Sequence, residues 1–285
     1  MTQDSLAQAQ PSFGSRLRAA MDSRGPLCAG IDPHAGLLTA WGLPDTVEGL
    51  RTFALTAAEA FGPVCAAIKP QSAFFERFGA AGIGVLEETV RVCRDAGAVV
   101  VLDVKRGDIG STAQAYADAY LDQSSTVAVD AITASPYLGF GSLDPMIETA
   151  RRNGAGVFVL ALTSNPEGPA YQHATRPDGR TVAASVLDSL REANAGSKPL
   201  GSFGAVVGAT IEVPTPRLDI NGPLLVPGIG AQGGTADDVR RIFGDVLDLV
   251  LPSSSREILG AGPDPASLRD AAARSAGDFA TLTAG

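Results

Sequence analysis

Lysine is almost missing from this 285-residue sequence: Lys69, Lys105 and Lys198 stand against nineteen arginines among its 22 basic side chains. Arginine serves wherever a plain positive charge is enough, but it does not readily give up a proton, whereas lysine can act as an acid or base. The few lysines are therefore candidates for proton chemistry. Histidine is scarcer still. With only His34 and His173, one chain cannot build a three-histidine zinc site, and no HExxH metal motif occurs; both read as ordinary loop residues. Three scattered cysteines, Cys28, Cys65 and Cys93, make neither a CxxC pair nor an even disulfide framework. They read as core residues, and a reducing cytoplasm is the expected home. No apolar run approaches the roughly 20 residues of a membrane-spanning helix. Residues 1–15 lack the basic start and apolar core of a secretory leader and read as a loose lead-in. Basic charge is short overall: 22 basic against 31 acidic side chains gives −9, with no long basic run to suit nucleic acid or an anionic membrane. An anionic ligand must be met by a few well-placed cations.

What is present is a repeating alternation. Short apolar runs at 27–31, 64–68, 98–104, 126–132, 156–162, 203–207, 223–226 and 246–251 read as strands. Between them, amphipathic stretches at 46–60, 80–96, 112–122, 143–153, 182–193 and 236–243 read as helices, and an alanine-rich closing helix covers 265–282. Eight strands with intervening helices predict a single (β/α)8 barrel over 16–285. Near-continuous apolar character suits parallel strands covered on both faces. The stretches 165–180 and 210–222 read as long irregular loops, and there is no domain linker or internal repeat.

Active sites of such barrels lie at the carboxyl ends of the strands. Read in turn, those ends carry Asp32, Lys69, Asp103-Val-Lys105, Ser135, Ser164-Asn165, the glycine-rich 228–234 segment, and Arg256. Asp103 and Lys105 are two apart, so on a strand they share a face. Asp108 follows on the loop, and Lys69 completes an alternating Lys–Asp–Lys–Asp array whose carboxylates would hold both lysines protonated. The alternative for these four is a structural ion-pair network at the rim. Asp32 either meets a ligand or caps a turn before Pro33. Ser164 and Thr112 either bind a ligand or cap a helix, and Ser135-Pro-Tyr-Leu-Gly either contributes to the site or shapes a turn. In Pro227-Gly-Ile-Gly-Ala-Gln232-Gly-Gly, glycines let backbone amides approach an anion, and Gln232 adds donors. Arg256 lies just beyond strand eight and offers a fork matched to phosphate. Loops after strands seven and eight are a frequent phosphate site of barrels.

Taken together, Gly30-Ile-Asp32-Pro-His, Ile68-Lys69-Pro, Asp103-Val-Lys105-Arg-Gly-Asp108-Ile-Gly-Ser-Thr112, Ser135-Pro-Tyr-Leu-Gly, Ser164-Asn165-Pro and Pro227-Gly-Ile-Gly-Ala-Gln232-Gly-Gly resemble the orotidine 5′-phosphate decarboxylase family in its actinobacterial form. The matching segments span residues 30–234, and Arg256 extends them past strand eight. The resemblance implies cofactor-free and metal-free conversion of orotidine 5′-phosphate to uridine 5′-phosphate and CO2, the last step of de novo UMP synthesis. It implies that Lys105 protonates the carbon that loses the carboxylate, beside Asp103, with Lys69 and Asp108 completing the array. Asp32 and Thr112 would contact the ribose, Ser164 the pyrimidine, and Gln232 and Arg256 the phosphate. It further implies a homodimer in which Asp108 and Thr112 reach the neighbouring subunit's site. One position departs: where some relatives carry an arginine directly after Pro-Gly-Ile, this chain has Gly230, which leaves more of the phosphate to Arg256. Competing readings are a magnesium-dependent sugar-phosphate barrel enzyme, a Schiff-base aldolase using Lys69 or Lys105, and a non-catalytic phosphate-ligand binder.

Overall fold

The eight apolar runs become eight parallel strands: β1 (Cys28–Ile31), β2 (Ala67–Pro70), β3 (Val99–Arg106), β4 (Ala131–Ala134), β5 (Gly156–Leu162), β6 (Phe203–Val207), β7 (Leu224–Pro227) and β8 (Val250–Ser254). Each pairs with the next, and β8 returns to β1 through Ser253 opposite Cys28 and Ser254 opposite Ala29, closing the (β/α)8 barrel. The computed structural model describes residues 11–212, 216–229 and 233–283. Among them no helix is long and apolar enough to cross a membrane. The helices are α1 (Phe13–Arg24), α2 (Ala35–Ala40), α3 (Val47–Phe61), α4 (Ala73–Glu76), α5 (Gly79–Asp95), α6 (Gly110–Leu121), α7 (Asp144–Arg152), α8 (Gly168–Gln172), α9 (Val182–Ala193), α10 (Ala236–Phe243), α11 (Arg256–Leu259) and α12 (Pro265–Thr283). In α3 the Thr46 side chain caps the first turn by accepting from Gly49 N, and Leu50, Phe53, Ala54, Ala57 and Phe61 form the buried stripe.

Strand alternation sorts the side chains into two cores. Ala29, Ile31, Val100, Leu102, Ile132 and Val157 pack outward under the helices. Cys28, Ala67, Val99, Val101, Ala131, Phe158, Val206, Leu225 and Leu251 form a second cluster inside the barrel, joined there by Phe13, Leu17 and Met21 of α1. Helix α1 thus seals the amino end of the barrel. Phe13 meets Phe158 edge-on, centroids 5.8 Å apart. Gly156 leaves the room for that ring, since a Cβ there would lie 2.3 Å from it. Arg16 fastens the seal by donating to Asp130 Oδ1 (2.9 Å) and to the Gly154 carbonyl (3.1 Å), while Asp130 Oδ2 accepts from Val100 N (2.9 Å).

Several boundaries differ from the sequence expectation. The lead-in placed at 1–15 is shorter, because 13–15 already belong to α1 and Phe13 is fully buried; residues 1–10 lie outside the described residues. Strand four starts at Ala131 rather than 126, since 122–129 is spent on turns, including Ser124 N bonded to Asp122 Oδ1 and Val129 N to the Tyr120 carbonyl. Strands two and eight lie about three residues later than expected, β2 running through Lys69 and Pro70 and β8 through Ser254. The loop at 165–180 contains α8, and α6 starts at Gly110, two residues before the expected start.

Candidate active site

The interior alternation continues upward into the site. Two residues beyond Val101 on β3 is Asp103; two beyond Ala67 on β2 is Lys69; two beyond Ala131 on β4 is Thr133; two and four beyond Leu251 on β8 are Ser253 and Ser255. All five line one cavity of about 470 Å³ at the carboxyl end, together with Asp32, Lys105, Ser164, Gly228 and Arg256. That volume suits a ligand of nucleotide size. The barrel filling is therefore apolar from α1 up to its middle and polar only in the top layer.

Asp103 is the hub. Only 8% exposed, it accepts from Lys105 Nζ (2.5 Å) and Thr133 Oγ1 (2.8 Å) on Oδ1, and from Lys69 Nζ (3.3 Å) on Oδ2. Burial by itself would raise the Asp103 pKa, but the two ammonium groups and the hydrogen bonds outweigh it and hold the carboxyl at about 2. Lys69 is 7% exposed. Burial would push its ammonium toward neutrality, yet Asp103 and then Asp32 overcome that and hold its pKa above the ordinary lysine value. Lys105 differs: its side chain remains 45% exposed, its amine reaches back to Asp103, and its backbone lies at φ 46°. Such a left-handed φ is uncommon for a side chain of this size and tends to occur at functional sites.

The sequence-predicted residues divide as follows. Lys69, Asp103, Lys105, Asp32, Ser164 and Arg256 meet on the cavity. Asp32 keeps Oδ1 buried without a described hydrogen-bond partner, as does the neighbouring Ser255 hydroxyl, so neither side chain caps a turn. The turn that follows is capped by His34, whose Nδ1 accepts from Leu37 N. Arg256 opens α11 and has no described ion-pair partner. Asp108 and Thr112 do not line the cavity. Asp108 accepts from Ile109 N, and Thr112 is exposed in the first turn of α6, where it caps nothing because the N-cap position is Ile109. Gln232 and Gly230 lie outside the described residues. The ends of their loop are drawn together by Gly234 N bonding to the Gly228 carbonyl at 3.0 Å, with φ 98° at Gly228. Ser135 stands beside β3, where its carbonyl would lie 2.5 Å from a Cβ on Gly107; the segment shapes a close crossing. The three cysteines are free and buried, and burial raises all three thiols, Cys28 and Cys93 to about 12.

Sequence reasoning missed Thr133, Gln71, Thr163 and Gln172, all on the cavity. Thr133 was hidden by the misplaced strand four, which left it past the strand end; correct register would have shown it opposite β3. Gln172 comes from α8, inside a segment read as loop. Its amide closes a two-point pair with Thr163, accepting from Thr163 N (2.9 Å) and donating to Oγ1 (2.7 Å), which ties the long excursion after β5 to the strand end. No local pattern announces that pairing.

Comparison with known proteins accords with this geometry. Residues 25–271 match the family model described as Orotidine 5′-phosphate decarboxylase / HUMPS family. An orotidine 5′-phosphate decarboxylase of Nocardioides sp. is 64% identical over 262 residues, covering 90% of this chain and 95% of that protein. One from Streptomyces coelicolor is 58% identical over 270 residues, covering 94% and 97%. Among solved structures, a Streptomyces avermitilis protein provisionally given the same name superposes with TM-score 0.95 at 58% identity over 97% of both chains. Leishmania donovani OMP decarboxylase superposes with TM-score 0.77 at 33% identity, over 96% of this chain and 100% of that one. By the extent of the family match and the identity to these relatives, the chain belongs to the orotidine 5′-phosphate decarboxylase / HUMPS family.

Proposed function

We propose that this protein decarboxylates orotidine 5′-phosphate to uridine 5′-phosphate and CO2 without metal or coenzyme, completing de novo UMP synthesis. The observation that carries the reading is the pair of ammonium groups, Lys69 and Lys105, joined through Asp103 at the mouth of the barrel. Cleavage of the bond from the ring carbon to its carboxylate leaves the electron pair on that carbon. A fixed cation aimed there stabilises the charge as it forms, and does so best in a site already organised. Lys105 Nζ then transfers its proton to the carbon, forming the new C–H bond, and its partial exposure lets solvent restore the proton after product leaves. Lys69 is too deeply paired to share that task; it offsets the Asp103 charge. Asp103 lies beside the departing carboxylate. Asp32 meets the ribose through its unpartnered oxygen, Ser164 the pyrimidine, and Arg256 with Gln232 the phosphate. Phosphate binding at this distance from the reacting carbon supplies free energy for positioning the ring.

The protein acts in the cytoplasm, in keeping with its three unpaired thiols, and as a homodimer. Asp108 and Thr112 stand away from their own cavity, next to Ile109 (62% exposed) and near the carboxyl end of the barrel, where Tyr137 (68% exposed) also projects. In this reading they complete the site of the second copy. The sugar-phosphate branch of the same family is disfavoured because strand two ends in a lysine where that chemistry calls for an added acidic ligand. The test is an absorbance assay with orotidine 5′-phosphate in excess chelator. Stoichiometric UMP and CO2 are expected. Tight UMP binding with no turnover would leave only a nucleotide-binding protein, and turnover abolished by chelator and restored by magnesium would favour a metal-dependent enzyme.

A further inference from the structure

The β3–β4 ladder is interrupted just where the proton donor sits. Leu102 pairs with Ile132 and Arg106 with Ala134, so four residues on β3 are matched by two on β4. A strand that gains residues against its neighbour bends locally and re-aims side chains, and bulges of this kind collect next to active sites. Within this one Lys105 takes φ 46°, which removes its N–H from the regular ladder. The lost ladder acceptor is replaced by a side chain: Lys105 N donates to Thr133 Oγ1 at 2.9 Å. The same hydroxyl donates its proton to Asp103 Oδ1 at 2.8 Å, and that oxygen also receives Lys105 Nζ. A single buried hydroxyl, 1% exposed, therefore holds both ends of residue 105, the backbone directly and the amine through Asp103.

We propose that Thr133 is a positioning residue for the decarboxylation, setting the left-handed backbone of Lys105 and the orientation of the Asp103 carboxylate so that the amine is aimed at the reacting carbon. The inference rests on the reading of Lys105 as proton donor. A hydroxyl is required because it must accept from an amide and donate to a carboxylate at once. Valine matches threonine in shape but can do neither, and leaves Lys105 N without a partner. Hydrogen bonds to charged groups are the strong ones, and losing one at a positioned donor corresponds to a fall in rate of about ten- to a hundredfold.

The experiment is steady-state kinetics of Thr133→Val and Thr133→Ser beside the parent and Lys105→Ala, with thermal unfolding measured on each. For Thr133→Val we expect kcat lowered about ten- to a hundredfold with KM within about threefold, since ribose, base and phosphate contacts lie on other strands. Thr133→Ser keeps the hydroxyl and should recover kcat to within a few-fold of the parent. If the valine protein does not fold, Thr133→Cys, with a weak donor and acceptor of similar size, takes its place in the comparison. A folded valine variant with parental kcat overturns the proposal, as does a serine variant as slow as valine, which would reduce Thr133 to a packing residue. Should Lys105→Ala itself retain its rate, the proton-donor reading falls first; an inactive Lys105→Ala beside a fully active Thr133→Val removes the positioning role alone.

Discussion

Asp103→Asn is the substitution whose cost the structure specifies most closely. The carboxylate has three donors, Lys105, Lys69 and Thr133, and is almost wholly removed from water. Its pKa stands at about 2 against an ordinary 3.8. At about 1.4 kcal/mol for each tenfold change, that difference makes the ionised form contribute on the order of 2–3 kcal/mol to folding. The amide also leaves Lys69 buried with Asp32 as its remaining carboxylate, so the whole loss at pH 7 should approach the about 3–5 kcal/mol typical of breaking a buried pair from one side. The pH dependence has a definite sign. A depressed folded pKa gives stability that is full above 3.8 and disappears as pH falls through about 2. The gap between parent and Asp103→Asn should therefore be widest at pH 5–7 and shrink below pH 4. Urea unfolding followed by Trp41 fluorescence measures it: this is the sequence's one tryptophan, buried against Phe53 with Nε1 donating to the Leu259 carbonyl. Protein concentration must be held constant, because self-association would add its own stabilisation. An Asn variant as stable as the parent at pH 7 would refute the reasoning. It would mean that the three bonds only repay the desolvation of the carboxylate and that the site is assembled for chemistry at no net gain to the fold.

Other consequences follow from the same geometry. Lys105→Ala should lower kcat at least about a thousandfold while leaving the melting temperature near the parent's, because the side chain is partly exposed; retention of most of the rate would remove the proton donor. Arg256→Ala should raise KM about ten- to a hundredfold with a smaller effect on kcat, seen in a substrate titration, and an unchanged curve would reject the phosphate role. Phe13→Ala should cost about 3–5 kcal/mol in urea unfolding, since it empties the seal beneath Phe158, yet leave kcat intact at temperatures where the protein remains folded. A large kcat effect there would show that the amino end of the barrel communicates with the site.

Much of this architecture is legible in the sequence because parallel barrel strands are buried on both faces and so read as plain apolar runs. The exceptions have physical causes. Residues 126–129 are mostly apolar, but 122–129 is taken up by turns, and backbone pairing to both neighbours begins only at Asp130, whose N donates to the Val100 carbonyl and whose carbonyl accepts from Gly156 N. The stretch 246–249 reads as strand yet folds into a 3-10 turn with Val246 at φ −139°, so β8 starts later and carries its serines into the barrel. Of the site, Lys69, Asp103 and Lys105 were found because charge at a strand end is visible as composition and spacing. Thr133 and Gln172 escaped because a threonine or glutamine becomes part of a site only through its partner. The bulge that turns Lys105 out of the ladder depends on a mismatch between two strands, which no single stretch of sequence records.

The array has a further property that explains why two lysines are kept in so lysine-poor a chain. Arginine in place of Lys69 would hold its charge as well, but as a planar fork of five donors rather than a compact ammonium. Lys69 is offset by both Asp103 and Asp32. Among the described residues the Lys105 amine is held by Asp103, through one short contact. In the proposed reaction, negative charge developing on the ring carbon would compete with Asp103 for the ammonium, while Lys69 keeps Asp103 paired. In that reaction the buried lysine frees the exposed one to respond: the first would preserve the carboxylate that aims, and the second would deliver the proton.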